Sequence, residues 1–152
     1  MCQTRQTYVF SLILIVISNV VASDLRIELK HGGSLIGTNL KSYKGRQIRS
    51  FLGIPYAKPP IGDLRFKPPE PFTWEGERNA TDDGSQCFQT YFFDPTGQAK
   101  GSEDCLFLNI FTPPLYRIPK EGLPVMVNIH GGGWLGGSNS YRFFAPDYIL
   151  DE

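Results

Sequence analysis

One run of five residues, His130-Gly131-Gly132-Gly133-Trp134, constrains this chain more than any other part of its sequence. It follows an apolar, β-branched stretch, Val125-Met126-Val127-Asn128-Ile129, which reads as a short buried strand of the kind that fills a parallel sheet. A strand that opens into consecutive glycines leaves backbone N–H groups uncovered and free to face a ligand. The plainer alternative is a simple tight turn.

Composition narrows the setting. The chain has 152 residues with 15 basic and 15 acidic side chains, so its formal net charge is zero. That gives no electrostatic case for nucleic acid or an anionic membrane as partner. Apolar residues make up 41% and aromatics 13%, the composition of a globular chain rather than a disordered one. Arg5 makes the start weakly positive, residues 9–17 are almost wholly apolar, and Val20-Val21-Ala22-Ser23 offers small residues for cleavage. Residues 1–23 therefore read as a secretory signal peptide, cut near Ala22-Ser23 or Ser23-Asp24. The apolar run falls short of the roughly 20 residues that span a bilayer, and Ser18 and Asn19 interrupt it. A secreted, extracellular chain with no membrane segment after cleavage is expected.

Secretion changes how the cysteines read. Cys2 leaves with the signal, and Cys87 and Cys105 remain as one pair in an oxidising compartment. Their disulfide would stabilise by about 3 kcal/mol in the chain-entropy model; two free thiols are the alternative. Asn79-Ala80-Thr81 is a glycosylation sequon in a polar stretch, which makes Asn79 a candidate acceptor.

Local patterns suggest an organisation. Leu25, Ile27 and Leu29 alternate with Arg26, Glu28 and Lys30, and His31-Gly32-Gly33 turns the chain into Ser34-Leu35-Ile36-Gly37-Thr38, which together predict a β-hairpin. Residues 49–54 read as a further strand ended by Pro55. The proline-dense stretch from Pro55 to Pro71 excludes helix and central strand. It is expected to be an ordered, extended cover pinned by Tyr56, Phe66, Phe72 and Trp74. Residues 86–102 read as an irregular loop, residues 106–111 as a buried strand, and residues 141–152 as the start of a helix or loop. No metal-binding cluster is evident.

Three stretches taken together are similar to the type-B carboxylesterase/cholinesterase family of α/β-hydrolases. They are Phe51-Leu52-Gly53-Ile54-Pro55-Tyr56-Ala57-Lys58-Pro59-Pro60 with Gly62, Leu64-Arg65-Phe66 and Pro69; Ser102-Glu103-Asp104-Cys105-Leu106-Phe107-Leu108-Asn109-Ile110 with Thr112-Pro113; and residues 124–134 with Gly137-Ser138. Their order and spacing match the family from about Asp24 onward. The resemblance implies the α/β class: a small antiparallel hairpin sheet leading into a central, mostly parallel sheet. It also implies a secreted carboxylic ester hydrolase with a Ser-Glu/Asp-His triad, acting on a small-molecule carboxylic ester without cofactor. Gly132 and Gly133 would supply two oxyanion N–H donors, supported by Gly131, and a third would follow the nucleophile. By the same resemblance Cys87 and Cys105 pair, and Arg65 and Glu103 form a buried structural ion pair. Trp134 either lines the acyl side of a gorge or packs in the core. Cholinesterases carry a Trp between these two cysteines, where it binds a quaternary ammonium. Here that loop holds Phe88, Tyr91, Phe92 and Phe93, which favours a general carboxylesterase.

The chain also departs from the family. It has no G-x-S-x-G segment and no histidine after His130. Gly136-Gly137-Ser138-Asn139-Ser140 comes nearest but reads as a continuation of the glycine loop. His31 sits in a hairpin turn and His130 in the glycine motif, so neither is a credible base. In this fold the nucleophile, acid and histidine follow in that order, which would put all three after Glu152. Residues 24–152 are therefore expected to be the N-terminal portion of the family domain, incomplete and inactive alone. A non-catalytic cholinesterase-like adhesion or binding protein is the alternative, as is a short secreted product. Oligomeric state is not legible.

Overall fold

The structure, a computed structural model, describes residues 25–90 and 96–151. The signal peptide, its cleavage site, and Tyr91, Phe92 and Phe93 lie outside the described residues. In chain order the strands are β1 (Arg26–Glu28), β2 (Ser34–Ile36), β3 (Thr38–Lys41), β4 (Gln47–Pro55), β5 (Glu77–Asn79), β6 (Gln89–Thr90), β7 (Ala99–Lys100) and β8 (Phe107–Thr112). One α-helical turn, α1 (Tyr141–Phe144), follows, and 3-10 turns occur at Gly62–Leu64, Leu115–Arg117 and Ile149–Asp151.

The predicted hairpin is present. β1 and β2 pair antiparallel with Ile27 opposite Leu35, and the Leu29 N–H closes the turn on the Gly33 carbonyl at 3.0 Å. Leu25, Ile27 and Leu29 turn inward while Arg26, Glu28 and Lys30 face solvent. β5 then adds to β2 in parallel. A second sheet runs β3-β4-β8, antiparallel throughout. Its middle strand, β4, is buried from Ile48 to Pro55, as a strand with neighbours on both edges should be. Leu35, Phe51, Ile54 and Ala80 form the core cluster, with Ile27, Leu29 and Trp74 packed against it.

β4 is interrupted by an irregularity between Phe51 and Ile54, where the pairing to β8 shifts. Such a bulge leaves backbone groups without ladder partners. Here both donors are satisfied: the Leu52 N–H reaches the Ala80 carbonyl at 2.8 Å, and the Gly53 N–H reaches Asn109 Oδ1 on β8 at 2.9 Å.

Several expectations are corrected. Residues 125–129 form no strand, and Val125, Val127 and Ile129 are 88, 78 and 87% exposed. A buried parallel strand needs ladder partners on both edges, and the described residues supply none. The central parallel sheet is likewise absent among them; the parallel pairing observed is β2 with β5, in the small front sheet. The loop between the cysteines is not irregular throughout, since β6 and β7 pair antiparallel within it. In the proline-rich cover, Trp74 packs on the core and lies 6.1 Å from Phe72. Tyr56 is half exposed, however, and Phe66 points into solvent.

Candidate functional site

The glycine run curls back on itself. The Gly132 carbonyl accepts from the N–H groups of Leu135 and Gly136, at 3.0 and 3.3 Å. Gly132 has φ +142° and Gly133 φ +60°. A Cβ on Gly132 would run into the Gly136 carbonyl oxygen, so only glycine fits the curl. The other arm closes as tightly, since a Cβ on Gly137 would come within 2.5 Å of both the Gly131 oxygen and His130 Nδ1. Among the described residues, no acceptor meets the N–H groups of Gly131, Gly132 or Gly133. These amides sit on an exposed stretch. Trp134 follows with φ +63° and is fully exposed, outside the core cluster.

Polar side chains from the sheets hold the loop's exit. Asn109 Nδ2, on β8, donates to the Asn139 carbonyl at 2.8 Å and to Asp83 Oδ1 at 2.7 Å. Asn139 Nδ2 returns a bond to the Phe107 carbonyl at 3.1 Å. Asp83 Oδ2 accepts from Ser140 Oγ at 3.1 Å and the Tyr141 N–H at 2.9 Å, and Ser140 Oγ accepts from the Arg142 N–H at 3.3 Å, capping α1. One asparagine therefore satisfies the β4 bulge and fixes the segment that leaves the glycine loop. On the opposite side, Gln89 of β6 grips Gly137 twice: Nε2 donates to its carbonyl at 2.8 Å, and Oε1 accepts from its N–H at 2.5 Å.

Cys87 and Cys105 form a disulfide, with their Cα atoms 4.9 Å apart. Arg65 Nη2 meets Glu103 Oε2 at 2.6 Å, and that hydrogen bond raises the guanidinium pKa above its ordinary value. The pair is not buried as expected: the two side chains are 50 and 47% exposed, because the proline-rich cover carries Arg65 on its outer side. Asn79 ends β5 at the edge of its sheet and is exposed.

The tail docks by its own polar contacts. Asp151 is buried, accepts from Ser42 Oγ, and accepts from the Lys44 N–H at 2.8 Å. Burial pushes its pKa up. The Ser42 and Lys44 hydrogen bonds and the charges of Lys44 and Arg46 outweigh that, so the net shift is downward. Tyr141 donates to Asp147 at 3.0 Å, and burial, then that bond, raises its pKa.

Sequence reasoning did not single out Gln89, Asn109 or Asp83. Asn109 had a visible signal, being a polar side chain in the apolar run Leu106-Phe107-Leu108-Asn109-Ile110-Phe111. Gln89 and Asp83 had none, since their partners lie 48 and 57 residues away. No group of acidic, histidine or cysteine side chains among the described residues is placed to hold a metal ion. No helix among them is long and apolar enough to cross a membrane.

Comparison with known proteins places the chain in a family. A sequence profile of the carboxylesterase family matches residues 23–152, and the chain belongs to that family, which implies a fold of the α/β-hydrolase type. Among individual relatives, it is 46% identical over 121 residues to juvenile hormone esterase of Tribolium castaneum, covering 79% of this chain and 20% of that protein. It is 44% identical over 125 residues to esterase E4 of Myzus persicae, covering 80% of this chain and 22% of that one. Acetylcholinesterase 1 of Caenorhabditis elegans is 41% identical over 131 residues, covering 80% and 21% respectively. The chain spans about a fifth of the length of these curated relatives.

Proposed function

We propose that these residues supply the oxyanion loop of a secreted serine carboxylesterase, with Gly132 and Gly133 as N–H donors and Gly131 permitting the approach. The observation that carries the reading is the pair of amides without acceptors, on a loop tied to the sheets from two sides. Ester hydrolysis through a serine nucleophile places negative charge on the former carbonyl oxygen in the tetrahedral transition state. Fixed amides directed at that oxygen lower the barrier, and removing one from a site of this type raises it by about 3 kcal/mol. The sequence holds no G-x-S-x-G segment and no histidine after His130, whereas in this fold nucleophile, acid and histidine follow the glycine loop in that order. The proposal therefore assigns them to sequence beyond Glu152, and residues 24–152 alone are inactive.

The substrate class is a small-molecule carboxylic ester. A general carboxylesterase is favoured over a choline esterase, because the stretch between Cys87 and Cys105 has no Trp to bind a quaternary ammonium. Secretion rests on the signal-like residues 1–23 and on a disulfide, which persists in oxidising compartments. Exposure of Asn79 supports its glycosylation, which a mobility shift on enzymatic deglycosylation would reveal.

The test of function is hydrolysis of an aryl ester by the intact secreted protein. The proposal expects turnover that a serine-directed organophosphate abolishes, and no turnover by residues 24–152 alone. An intact protein that binds esters without hydrolysing them would instead support a cholinesterase-like binding role.

A further inference from the structure

Among the described residues of the cysteine loop, Gln89 is the side chain that reaches the glycine loop by hydrogen bonds. It bonds both backbone groups of Gly137, and its Nε2 also donates to the Cys87 carbonyl at 2.9 Å. A primary amide carries a donor and an acceptor side by side, so it can mimic a strand partner for one residue. The grip falls where it matters: Gly137 sits against His130 and Gly131, with no space for a side chain between them. Holding Gly137 therefore holds the arm from which Gly132 and Gly133 project. The Cys87 end is itself fixed, by the disulfide to Cys105 and by the Phe88 N–H on the Ser102 carbonyl at 3.1 Å.

We propose that Gln89 is a positioning residue for the oxyanion loop, transmitting the rigidity of the Cys87–Cys105 loop to Gly132 and Gly133. The inference rests on the reading of those two glycines as oxyanion donors. Gln89 touches neither substrate nor reacting atoms; it acts by fixing the backbone that does. Donors displaced by a fraction of an ångström still allow a substrate to bind but stabilise the charged transition state less.

Two variants of the intact protein test this: Gln89→Ala, which removes the grip, and Gln89→Glu, which keeps shape and acceptor but loses both donated bonds. Amide hydrogen exchange at Gly137 is expected to speed about tenfold or more in Gln89→Ala, with the β4 amides unchanged, as for a local opening. For aryl ester hydrolysis, kcat should fall about 10–100-fold in both variants while KM moves little. If Gln89→Ala fails to fold, Gln89→Glu carries the kinetic test alone. Unchanged Gly137 exchange overturns the grip and leaves the oxyanion reading intact. Faster exchange with unchanged kcat overturns the positioning role. A wild-type protein without ester turnover would sink the functional reading instead, and the exchange result would then decide the grip by itself.

Discussion

The two three-stranded sheets and the glycine loop solve opposite problems. Around β4, nearly every side chain is buried and the bulge donors at Leu52 and Gly53 find acceptors. Around Gly132, the side chains are absent or exposed, and three successive N–H groups find no acceptor among the described residues. Burial and saturation give stability but leave nothing for a ligand to bind. Unsatisfied amides offer a ligand everything but cannot hold themselves in place. The molecule joins the two regimes through a few polar side chains, Asn109 of β8, Asp83 and Gln89 of the β6–β7 ribbon, that bond to the ends of the unsaturated one.

The sharpest break in this comparison comes from the core. Phe51 is almost fully buried in the cluster with Leu35, Ile54 and Ala80. Phe51→Ala should cost about 3–5 kcal/mol through lost burial and a residual cavity. Denaturant unfolding of the intact protein would read this as a lower midpoint at unchanged slope. Opening the disulfide with Cys87→Ser and Cys105→Ser should cost about 2–4 kcal/mol by the same measurement, chiefly by freeing the unfolded chain. Asn109→Leu tests the junction. It strands the Gly53 N–H and the Asn139 carbonyl, each partly buried, and should cost about 1–3 kcal/mol. If the junction is real, exchange at Asn139 and Ser140 rises more than exchange at β3.

Two smaller effects refine the picture. Arg65→Ala should barely move the unfolding midpoint, since its pair with Glu103 is half exposed and screened by solvent. A large loss would show that the pair is buried in the intact protein. Asp151 supplies an acid-side test. Its folded pKa lies below the unfolded value of about 3.9. Its contribution is therefore complete above that value and is lost as pH falls through the lower folded one. Asp151→Asn should flatten the acid limb of stability against pH and leave neutral stability changed only by the lost contact.

Much of the saturated region was legible from local pattern. Alternation in residues 25–30, followed by a Gly-rich turn, marks the β1–β2 hairpin, and the strand-like stretch at residues 49–54, ended by Pro55, marks β4. Both signals work because side-chain period and turn chemistry are local. Residues 125–129 show the limit of the same logic. Their composition is that of a buried strand, yet a strand exists only where a ladder partner does, and pairing is not written in the run itself. Phe66 fails for a similar reason: an aromatic among prolines names a cover but not which side faces in. At the site, the glycine run was visible because its chemistry is contiguous. Gln89 was not, because it becomes meaningful only beside Gly137, 48 residues away.

The central claim is that the Gly132 and Gly133 amides stabilise developing negative charge. The most direct measurement is the affinity of the intact protein for an activated ketone, which forms a charged tetrahedral adduct with a serine nucleophile, compared between wild type and Gly132→Ala. The account predicts that the variant binds the ketone about 100–1,000-fold more weakly, with kcat for an aryl ester falling in parallel and KM little changed. Equal affinity for the ketone in the two proteins would contradict it.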